Sequence, residues 1–299
     1  MKSKKKKPVL EVKFKFHKKR FKQYLIKYLH LFEREIREFS DYVKESLRRK
    51  ALVLDVNSVP IKKVSVIIPA YNEEKRILKV VKPSLQSKFV GEVIVVDDGS
   101  KDNTAKVVRE FKERHKHLGK KLILISQKNK GKAGAMETGV HASKYEYVLF
   151  LDADLIGLKV SDINKLIMPV ISELVDVTIS LRKNSLGIFK MLNCDFISGE
   201  RCMKKSLLNG IWKDVSGFGI EVVMNKRILK KHLKIASIPI SAKNTVKAKK
   251  QGVIKGLKSE LKMISEIFEN VNPFLVFQQL ILMSSLQYKI IFEDSSKNS

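Results

Sequence analysis

Tyr147-Val148-Leu149-Phe150-Leu151-Asp152-Ala153-Asp154 is an uninterrupted apolar run that ends in two carboxylates. A short, continuously apolar run predicts a strand buried inside a parallel sheet. Open α/β sheets bind their ligands at the carboxyl ends of their strands, so both aspartates would lie at the ligand edge. Side chains two residues apart on a strand point the same way, and this pair suits a divalent cation that also holds phosphate oxygens. An isolated Asp-x-Asp is more often a solvated turn, so the interpretation depends on the segments before it.

The residues upstream of this run alternate between strand and helix patterns. Buried strands are predicted at residues 63–70, 91–96 and 122–126, and helices at 77–85 and 105–115. Asp102-Asn103-Thr104 has the side chains of a helix N-cap. Asn129-Lys130-Gly131-Lys132 opens the helix that leads to the Tyr147 strand, and another strand is predicted at 235–240. This alternation predicts an α/β fold with a mostly parallel sheet flanked by helices.

Composition favours a folded domain with an anionic partner. The 299 residues are 44% hydrophobic, enough for a sizeable core, and the formal net charge is +29. Such a charge favours a phosphorylated small molecule, an acidic membrane surface or nucleic acid, and nucleic acid is disfavoured because no recognition motif accompanies it. Two cysteines and the lack of a signal peptide predict a cytoplasmic protein, with peripheral attachment to the membrane face as an alternative.

The two ends of the sequence differ from its centre. From Lys18 to Lys50 a helical pattern repeats every three or four residues, and that helix could pack on the rest of the chain, pair with a second copy, or lie on an anionic membrane. Residues 53–60 have the composition of a linker. After the 235–240 strand a basic cluster enters an apolar-faced helix, and its members are Lys243, Lys247, Lys249, Lys250, Lys255 and Lys258. We therefore predict three parts: an amphipathic N-terminal region at 1–60, a central domain at 61–245 and a helical C-terminal extension at 246–299.

Four segments of the central domain occur in a characteristic order. They are Ser65-Val66-Ile67-Ile68-Pro69-Ala70-Tyr71-Asn72-Glu73-Glu74, Val95-Val96-Asp97-Asp98-Gly99-Ser100, Asn129-Lys130-Gly131-Lys132 and Asp152-Ala153-Asp154. Their order and spacing resemble those of family 2 glycosyltransferases, over roughly residues 64 to 225. The resemblance implies a GT-A fold, a Rossmann-like sheet with a nucleotide-binding half followed by an acceptor-binding half.

The resemblance also implies roles for the donor-side residues. Pro69, Tyr71 and Glu73 would line the base pocket of a UDP- or GDP-sugar, and Asp98 would hold the base or ribose. Lys132, in a glycine-bearing turn before a helix, would face the donor's diphosphate. Asp152 and Asp154 would hold Mg²⁺ or Mn²⁺ across that diphosphate and offset the charge on the leaving group. Glu74 and Asp97 are as readily explained by capping as by function.

On the acceptor side, Ser198-Gly199-Glu200-Arg201 and Val215-Ser216-Gly217-Phe218-Gly219-Ile220-Glu221 resemble segments of enzymes that glycosylate phosphorylated acceptors. These include dolichyl-phosphate mannose synthases and glucosyl-3-phosphoglycerate synthases. Arg201 would bind an acceptor or donor phosphate, and Glu200 and Glu221 would orient the acceptor or accept its proton. A helix is expected from about Lys204.

Two features depart from those enzymes. Ile156 replaces the glutamine that follows the metal pair in the mannose synthases, and Ser241-Ala242-Lys243-Asn244 lacks the late histidine that the phosphoglycerate enzymes supply to the metal. The nearby His232 is expected at the surface. The third protein ligand of the metal is therefore left open, and water could fill its place.

Three functions are compatible with the sequence. The first is metal-dependent transfer of a hexose from a nucleotide-diphospho sugar to a phosphate-bearing acceptor. The second places the same transfer at a membrane, with a polyprenyl phosphate as acceptor. The third is a catalytically silent basic scaffold that binds anionic partners. Because Asp98, Lys132, Asp152 and Asp154 are all present, the sequence favours an enzyme over the scaffold.

Overall fold

The computed structural model describes residues 51–185, 189–190, 193–214, 219–244, 282–283 and 286–297. The chain divides into two compact units, Met1–Tyr42 and Val43–Ser299, and every described residue belongs to the second. The predicted helix at 18–50 and the predicted basic helix after residue 246 lie outside the described residues, as do Val215-Ser216-Gly217-Phe218.

Strands and helices of the described residues alternate along the chain. The strands are β1 (Ala51–Asp55), β2 (Val64–Ala70), β3 (Val90–Asp97), β4 (Leu122–Ser126), β5 (Tyr147–Phe150), β6 (Val177–Arg182), β7 (Arg201–Lys204), β8 (Ile235–Ile240) and β9 (Lys289–Glu293). The α-helices with full bounds are α1 (Ile77–Gln86), α2 (Thr104–Arg114), α3 (Gly131–Ala142), α4 (Val160–Ile171) and α5 (Ile220–Lys230). The strands and helices predicted between residues 63 and 151 are confirmed.

The larger sheet has the order β4-β3-β2-β5-β7-β6-β8 among the described strands. Only β7 runs against its neighbours, β5 and β6, and the other pairs are parallel. The central strands are buried along most of their length, as expected for strands that are covered by helices on both faces. Their residues with 0% exposure include Val66, Ile68, Val93, Val95 and Leu149. The mostly parallel α/β sheet predicted from the sequence is therefore confirmed.

Two local predictions are wrong. Residues 53–60 were expected to be a linker, but 51–55 form β1, which pairs in parallel with β9 because Leu52 and Leu54 find partners in Ile290 and Phe292. The α-helix expected from Lys204 is not formed: Lys204 ends β7, and the short 3-10 turns Lys205–Leu208 and Trp212–Asp214 follow it. The sheet supplies the reason: Cys202 and Met203 fill a central position between β5 and β6, where their burial outweighs a helical pattern.

The carboxyl ends of β2, β3 and β5 open onto one edge of the sheet, and β7 reaches the same edge with its first residue because it runs the other way. Phe150 on β5 pairs with Arg201 on β7, so the residues after β5 and those before β7 lie side by side. This geometry brings the Asp152 and Gly199 segments together. Within the described ranges, no helix is both long enough and apolar enough to cross a membrane.

Candidate active site

The loops that follow β2 and β3 are joined by reciprocal hydrogen bonds. The Asn72 amide donates to Ser100 Oγ (3.0 Å) and the Glu73 amide to Thr104 Oγ1 (2.7 Å). In return the Asn103 amide donates to a carboxylate oxygen of Glu74 (3.0 Å). Glu74 therefore caps the neighbouring loop, and Asn72 has a φ of 58°, in the left-handed region that asparagine tolerates better than most residues. The two loops form one rigid floor at the sheet edge.

Asp98 fixes the position of the turn before α3. Its Oδ1 accepts hydrogen bonds from Gln127 Nε2 (2.7 Å) and from the Lys130 amide (2.8 Å), and the side chain is buried. Gly99 has a φ of 74°, and a Cβ there would lie 2.9 Å from the Asn129 amide nitrogen. Asp98 thus lies at the end of β3, as predicted, and one of its oxygens holds the turn that carries Lys132.

The residues predicted to contact a nucleotide base follow β2. Pro69 is the penultimate residue of β2, and the Tyr71 side chain is exposed. Glu73 pairs with Arg76 (2.5 Å), and this hydrogen bond raises the pKa of Arg76. The charge of Asp154 acts on Arg76 in the same direction, which places Asp154 near this side of the site. An exposed aromatic ring beside a fixed loop is suited to stacking on a base.

Lys132 joins two acidic side chains from different parts of the chain. Its Nζ lies 2.7 Å from Asp152 Oδ1, after β5, and 2.8 Å from Glu221 Oε1, in the first turn of α5. Burial opposes the charged forms of all three groups, but their mutual attraction outweighs it. The pKa of Lys132 is therefore raised, and the pKa values of Asp152 and Glu221 are lowered. The structure thus brings three predicted site residues together as an ion triad.

Gly199 supplies the space for that triad. A Cβ at this position would lie 2.6 Å from both Asp152 Oδ1 and Lys132 Nζ. Any larger residue would have to push one of these two groups aside. The backbone of the segment before β7 therefore forms the wall against which Lys132 and Asp152 meet.

Arg182 was not predicted from the sequence, yet it lies directly behind Asp152. It is the last residue of β6, and its guanidinium is 3.8 Å from Asp152 Oδ2, 3.2 Å from Asp195 Oδ2 and 3.5 Å from Glu200 Oε1. Burial lowers its pKa, but the charges of Glu200, Asp195 and Asp152 raise it above the ordinary value. A basic residue at the carboxyl end of a strand was the available signal, and it was missed because β6 itself was not predicted.

Glu200 lies deeper than its predicted role requires. It is buried, and its Oε2 accepts hydrogen bonds from Ser180 Oγ (2.6 Å) and Ser198 Oγ (2.5 Å). Burial and then the charge of Asp152 raise the pKa of Glu200. A buried carboxyl held by two hydroxyls cannot reach an acceptor that binds at the surface. We predicted that Glu200 would orient the acceptor or accept its proton. The structure instead places Glu200 beneath Asp152.

Arg201 is also an internal residue, which corrects its predicted role as a phosphate ligand. Its side chain is 0% exposed. Its guanidinium donates to the carbonyl oxygens of Phe196 (2.6 Å) and Ser198 (2.8 Å) and to Asn225 Oδ1 (2.7 Å). These bonds tie the segment before β7 to α5, so Arg201 holds the site together from behind.

The carboxylates of Asp152 and Asp154 fit a hard divalent cation, which prefers oxygen ligands. Among the described residues no group of three or more His, Cys, Asp or Glu side chains is arranged to hold a metal ion. Lys243 belongs to the segment that lacks the late histidine, and it pairs with Ile156 through two backbone hydrogen bonds (2.8 and 2.9 Å). The nearby His232 is exposed, as expected. A cation here would therefore rest on two protein carboxylates and complete its shell with ligand or water oxygens.

The chain is similar to known glycosyltransferases. Residues 65–206 match the sequence model of glycosyl transferase family 2, and over this range the chain resembles that family. The chain is 32% identical over 180 residues to a dolichyl-phosphate beta-glucosyltransferase of Dictyostelium discoideum, an alignment that covers 56% of this chain and 52% of the relative. The human enzyme of the same name is 42% identical over 117 residues, which cover 36% of this chain and 35% of the relative. The chain thus spans about half the length of these relatives, or less.

Solved structures support the GT-A fold. The mannosyltransferase PcManGT from Pyrobaculum calidifontis, determined with GDP-Man and Mn²⁺, superimposes with a TM-score of 0.60 at 18% identity and covers 84% of this chain and 77% of its own. Glucosyl-3-phosphoglycerate synthase from Mycobacterium tuberculosis, determined with phosphoglyceric acid, gives a TM-score of 0.50 at 20% identity and covers 70% and 82%. At these identities the likeness shows the fold.

Proposed function

We propose that the chain is a metal-dependent glycosyltransferase that moves a hexose from a nucleotide-diphospho sugar to a phosphate-bearing acceptor. The observation that carries the proposal is the meeting of Lys132, Asp152 and Glu221 at the carboxyl edge of the sheet, next to Asp98 and Asp154. Cationic and carboxylate groups at this edge are suited to a diphosphate and the cation that bridges it.

Each residue has a defined task under this proposal. Tyr71 stacks on the base, and Asp98 holds the base or ribose while its Oδ1 fixes the turn of Lys132. Lys132 contacts the diphosphate, and Asp152 and Asp154 hold Mg²⁺ or Mn²⁺, which stabilises the negative charge on the departing nucleoside diphosphate. Arg182, at 12% side-chain exposure, keeps Asp152 ionised and oriented.

The acceptor phosphate needs no general base if its own oxyanion is the nucleophile. Glu200 is buried and Glu221 is paired with Lys132, so neither carboxylate is placed as a free base in the structure. With neither of these glutamates placed as a free base, the described part of the site fits an acceptor that is already anionic. This is the reason to prefer a phosphate over a neutral hydroxyl as the acceptor group.

A polyprenyl phosphate is the second, narrower candidate for the acceptor. It is favoured by the relatives from Dictyostelium discoideum and Homo sapiens, both of which carry the name dolichyl-phosphate beta-glucosyltransferase. We propose that such an acceptor would be met at the cytoplasmic face of a membrane. A soluble phosphorylated acceptor is the alternative under the same chemistry.

The first experiment is a thermal-shift screen of the full chain with UDP, GDP and their common sugar conjugates, each with and without Mn²⁺. A ligand at about 100 times its Kd stabilises a folded protein by about 2.7 kcal/mol. Metal-dependent stabilisation by one nucleotide supports the enzyme and identifies the base. If the folded chain responds to none of these ligands, the proposal is overturned in favour of the scaffold.

The second experiment supplies the identified nucleotide sugar, radiolabelled in its sugar. The acceptor is either polyprenyl phosphate in detergent micelles or phosphoglycerate in solution. Label recovered in the organic phase supports the polyprenyl acceptor, and label recovered in the aqueous sugar phosphate supports the soluble one. Asp154→Asn protein provides the inactive control. Transfer to neither acceptor, in a chain that binds the donor, would exclude both of these acceptors.

A further inference from the structure

Lys132 occupies one oxygen of Asp152, which is the predicted ligand of the divalent cation. The ammonium already lies 2.7 Å from Oδ1, and the other oxygen, Oδ2, faces the Arg182 guanidinium at 3.8 Å. An ammonium and a divalent cation on one carboxylate oxygen would repel each other strongly at such a separation. Asp152 can therefore bind a cation through Oδ1 only if Lys132 moves away.

The structure offers Lys132 a second partner for that event. Glu221 Oε1 is 2.8 Å from Nζ and belongs to α5, whereas Asp152 follows β5. The lysine side chain is 40% exposed, whereas Asp152 and Glu221 are 19% and 16% exposed. Lys132 is thus the partner with freedom to turn, and it can release Asp152 without losing every counter-charge.

Gly199 leaves little room for any other arrangement. Its Cα side faces both the Asp152 oxygen and the ammonium, each of which would be 2.6 Å from a Cβ at that position. The Gly199 backbone blocks movement of the ammonium toward itself, so a displaced ammonium would move away from this wall, toward the proposed position of the donor diphosphate.

We propose that Lys132 and the divalent cation exchange at Asp152: the lysine holds the carboxylate until the cation arrives with the diphosphate, and Glu221 then keeps the ammonium in place to contact the diphosphate. The inference rests on the proposed function, because it takes the metal and the diphosphate from it. It assigns Glu221 a positioning role and makes cation and diphosphate binding mutually dependent. The diphosphate draws the lysine away from Asp152, so each ligand strengthens the binding of the other.

The exchange is tested by Mn²⁺ binding without nucleotide, followed by the EPR signal of the free ion. Lys132→Gln removes the competitor and should tighten Mn²⁺ binding by about three- to fivefold, the equivalent of about 0.6–1 kcal/mol for a partly exposed ion pair. Lys130→Gln removes the same charge two residues away, from an exposed side chain that makes no ion pair with Asp152 among the described residues, and should change the affinity less than about twofold. In the presence of Mn²⁺, UDP and GDP should bind more weakly to Lys132→Gln than to the wild type.

Exchange predicts opposite changes in the two affinities of Lys132→Gln: tighter binding of Mn²⁺ and weaker binding of UDP or GDP. Equal Mn²⁺ affinity in Lys132→Gln and wild type would overturn it, and so would the absence of Mn²⁺ binding in both proteins. The result is separable from the proposed function: opposite signs without sugar transfer would leave the exchange intact and refute the activity. Sugar transfer with an unchanged Mn²⁺ affinity would do the reverse.

The role of Glu221 needs its own pair of variants. Glu221→Gln should weaken UDP or GDP binding several-fold at saturating Mn²⁺, since the ammonium loses the carboxylate that retains it, whereas Glu221→Asp should restore most of the affinity. A purely structural role would reduce thermal stability in both variants and leave the Asp variant no better. Wild-type diphosphate affinity in Glu221→Gln would remove Glu221 from the exchange.

Discussion

The two halves of the large sheet use charged residues in opposite ways. In the first half, from β2 to β5, Glu73, Lys132 and Asp154 stand beyond the strand ends, on loops or in the first turn of α3. In the second half, from β6 to β8, the charged residues Asp195, Glu200 and Arg201 are fully buried. Under the proposed function the first half offers its charges to a ligand, and the second half uses them to fix the loop that forms the wall of the site. A charged residue that matches a family motif therefore indicates ligand binding only when the strand end beside it is open to solvent.

The largest expected effect comes from the first half. Asp154→Asn should reduce sugar transfer by about 10²–10³-fold, the effect of losing one preorganised electrostatic contact, while thermal unfolding changes little. Initial rates with saturating Mn²⁺ measure it. Glu146→Gln is the control, since it removes a carboxylate just before the opposite end of the same strand and should keep wild-type rates. Wild-type turnover in Asp154→Asn would refute the metal site. It would also refute the comparison between the two halves of the sheet.

In the second half the effect should appear in stability. Arg201→Met removes the donors to the Ser198 carbonyl and to Asn225 Oδ1 and one of the two donors to the Phe196 carbonyl, which should cost about 3 kcal/mol of unfolding free energy. Lys132→Met should cost less than about 1 kcal/mol, because its ion pairs are partly exposed. Urea denaturation of both variants compares the halves directly. Equal losses would erase the distinction between a structural and a ligand-binding cation.

Two glutamates allow a finer comparison through pH. The pKa of Glu221 is lowered from 4.5 in the folded state, so its contribution is present above pH 4.5 and is lost as the pH falls through the folded value. The pKa of Glu200 is raised, so its contribution is present below pH 4.5 and is lost as the pH rises through the folded value.

Relative to wild type, Glu221→Gln should therefore become less stable as the pH rises toward 4.5, and Glu200→Gln should become more stable as the pH rises above 4.5. Denaturation in EDTA-containing buffers at several pH values measures both trends. Parallel trends would show that the two carboxyls share one environment.

The smallest expected effect is no reaction at all. Cys194 and Cys202 form no disulfide and are buried in the second half, where burial raises the pKa of the Cys194 thiol to about 12 and that of Cys202 still further. Neither thiol should react with a disulfide reagent at pH 8 until the chain is unfolded in denaturant. Rapid modification of the folded chain would mean that the second half opens to solvent.

The first half could be predicted from the sequence because its signals are local. Apolar runs mark β2, β3 and β5, and the polar residues after each run lie where a parallel sheet must place them. Glu200 and Arg201 were misjudged for a physical reason: β7, which begins at Arg201, is antiparallel and pairs with β5 and β6. Whether these charges face a ligand or the interior depends on that pairing, which no local pattern encodes. Arg182 was missed because β6 was not predicted. Glu221 was predicted on the acceptor side, but its partner Lys132 lies 89 residues away, and no local pattern shows that contact.

The parallel pairing of β1 with β9 has a consequence for synthesis of the chain. The Asn57 side chain bonds to Asp294 across 237 residues, so the small sheet cannot form until almost everything between has been made. At a translation rate of about 5–20 residues per second, β1 waits for roughly ten to fifty seconds with Leu52 and Leu54 unpaired. During that interval β1 is an unpaired apolar strand edge, open to a chaperone or to a neighbouring nascent chain. The small sheet is therefore the last part of the fold to close, and the part most exposed to misassembly.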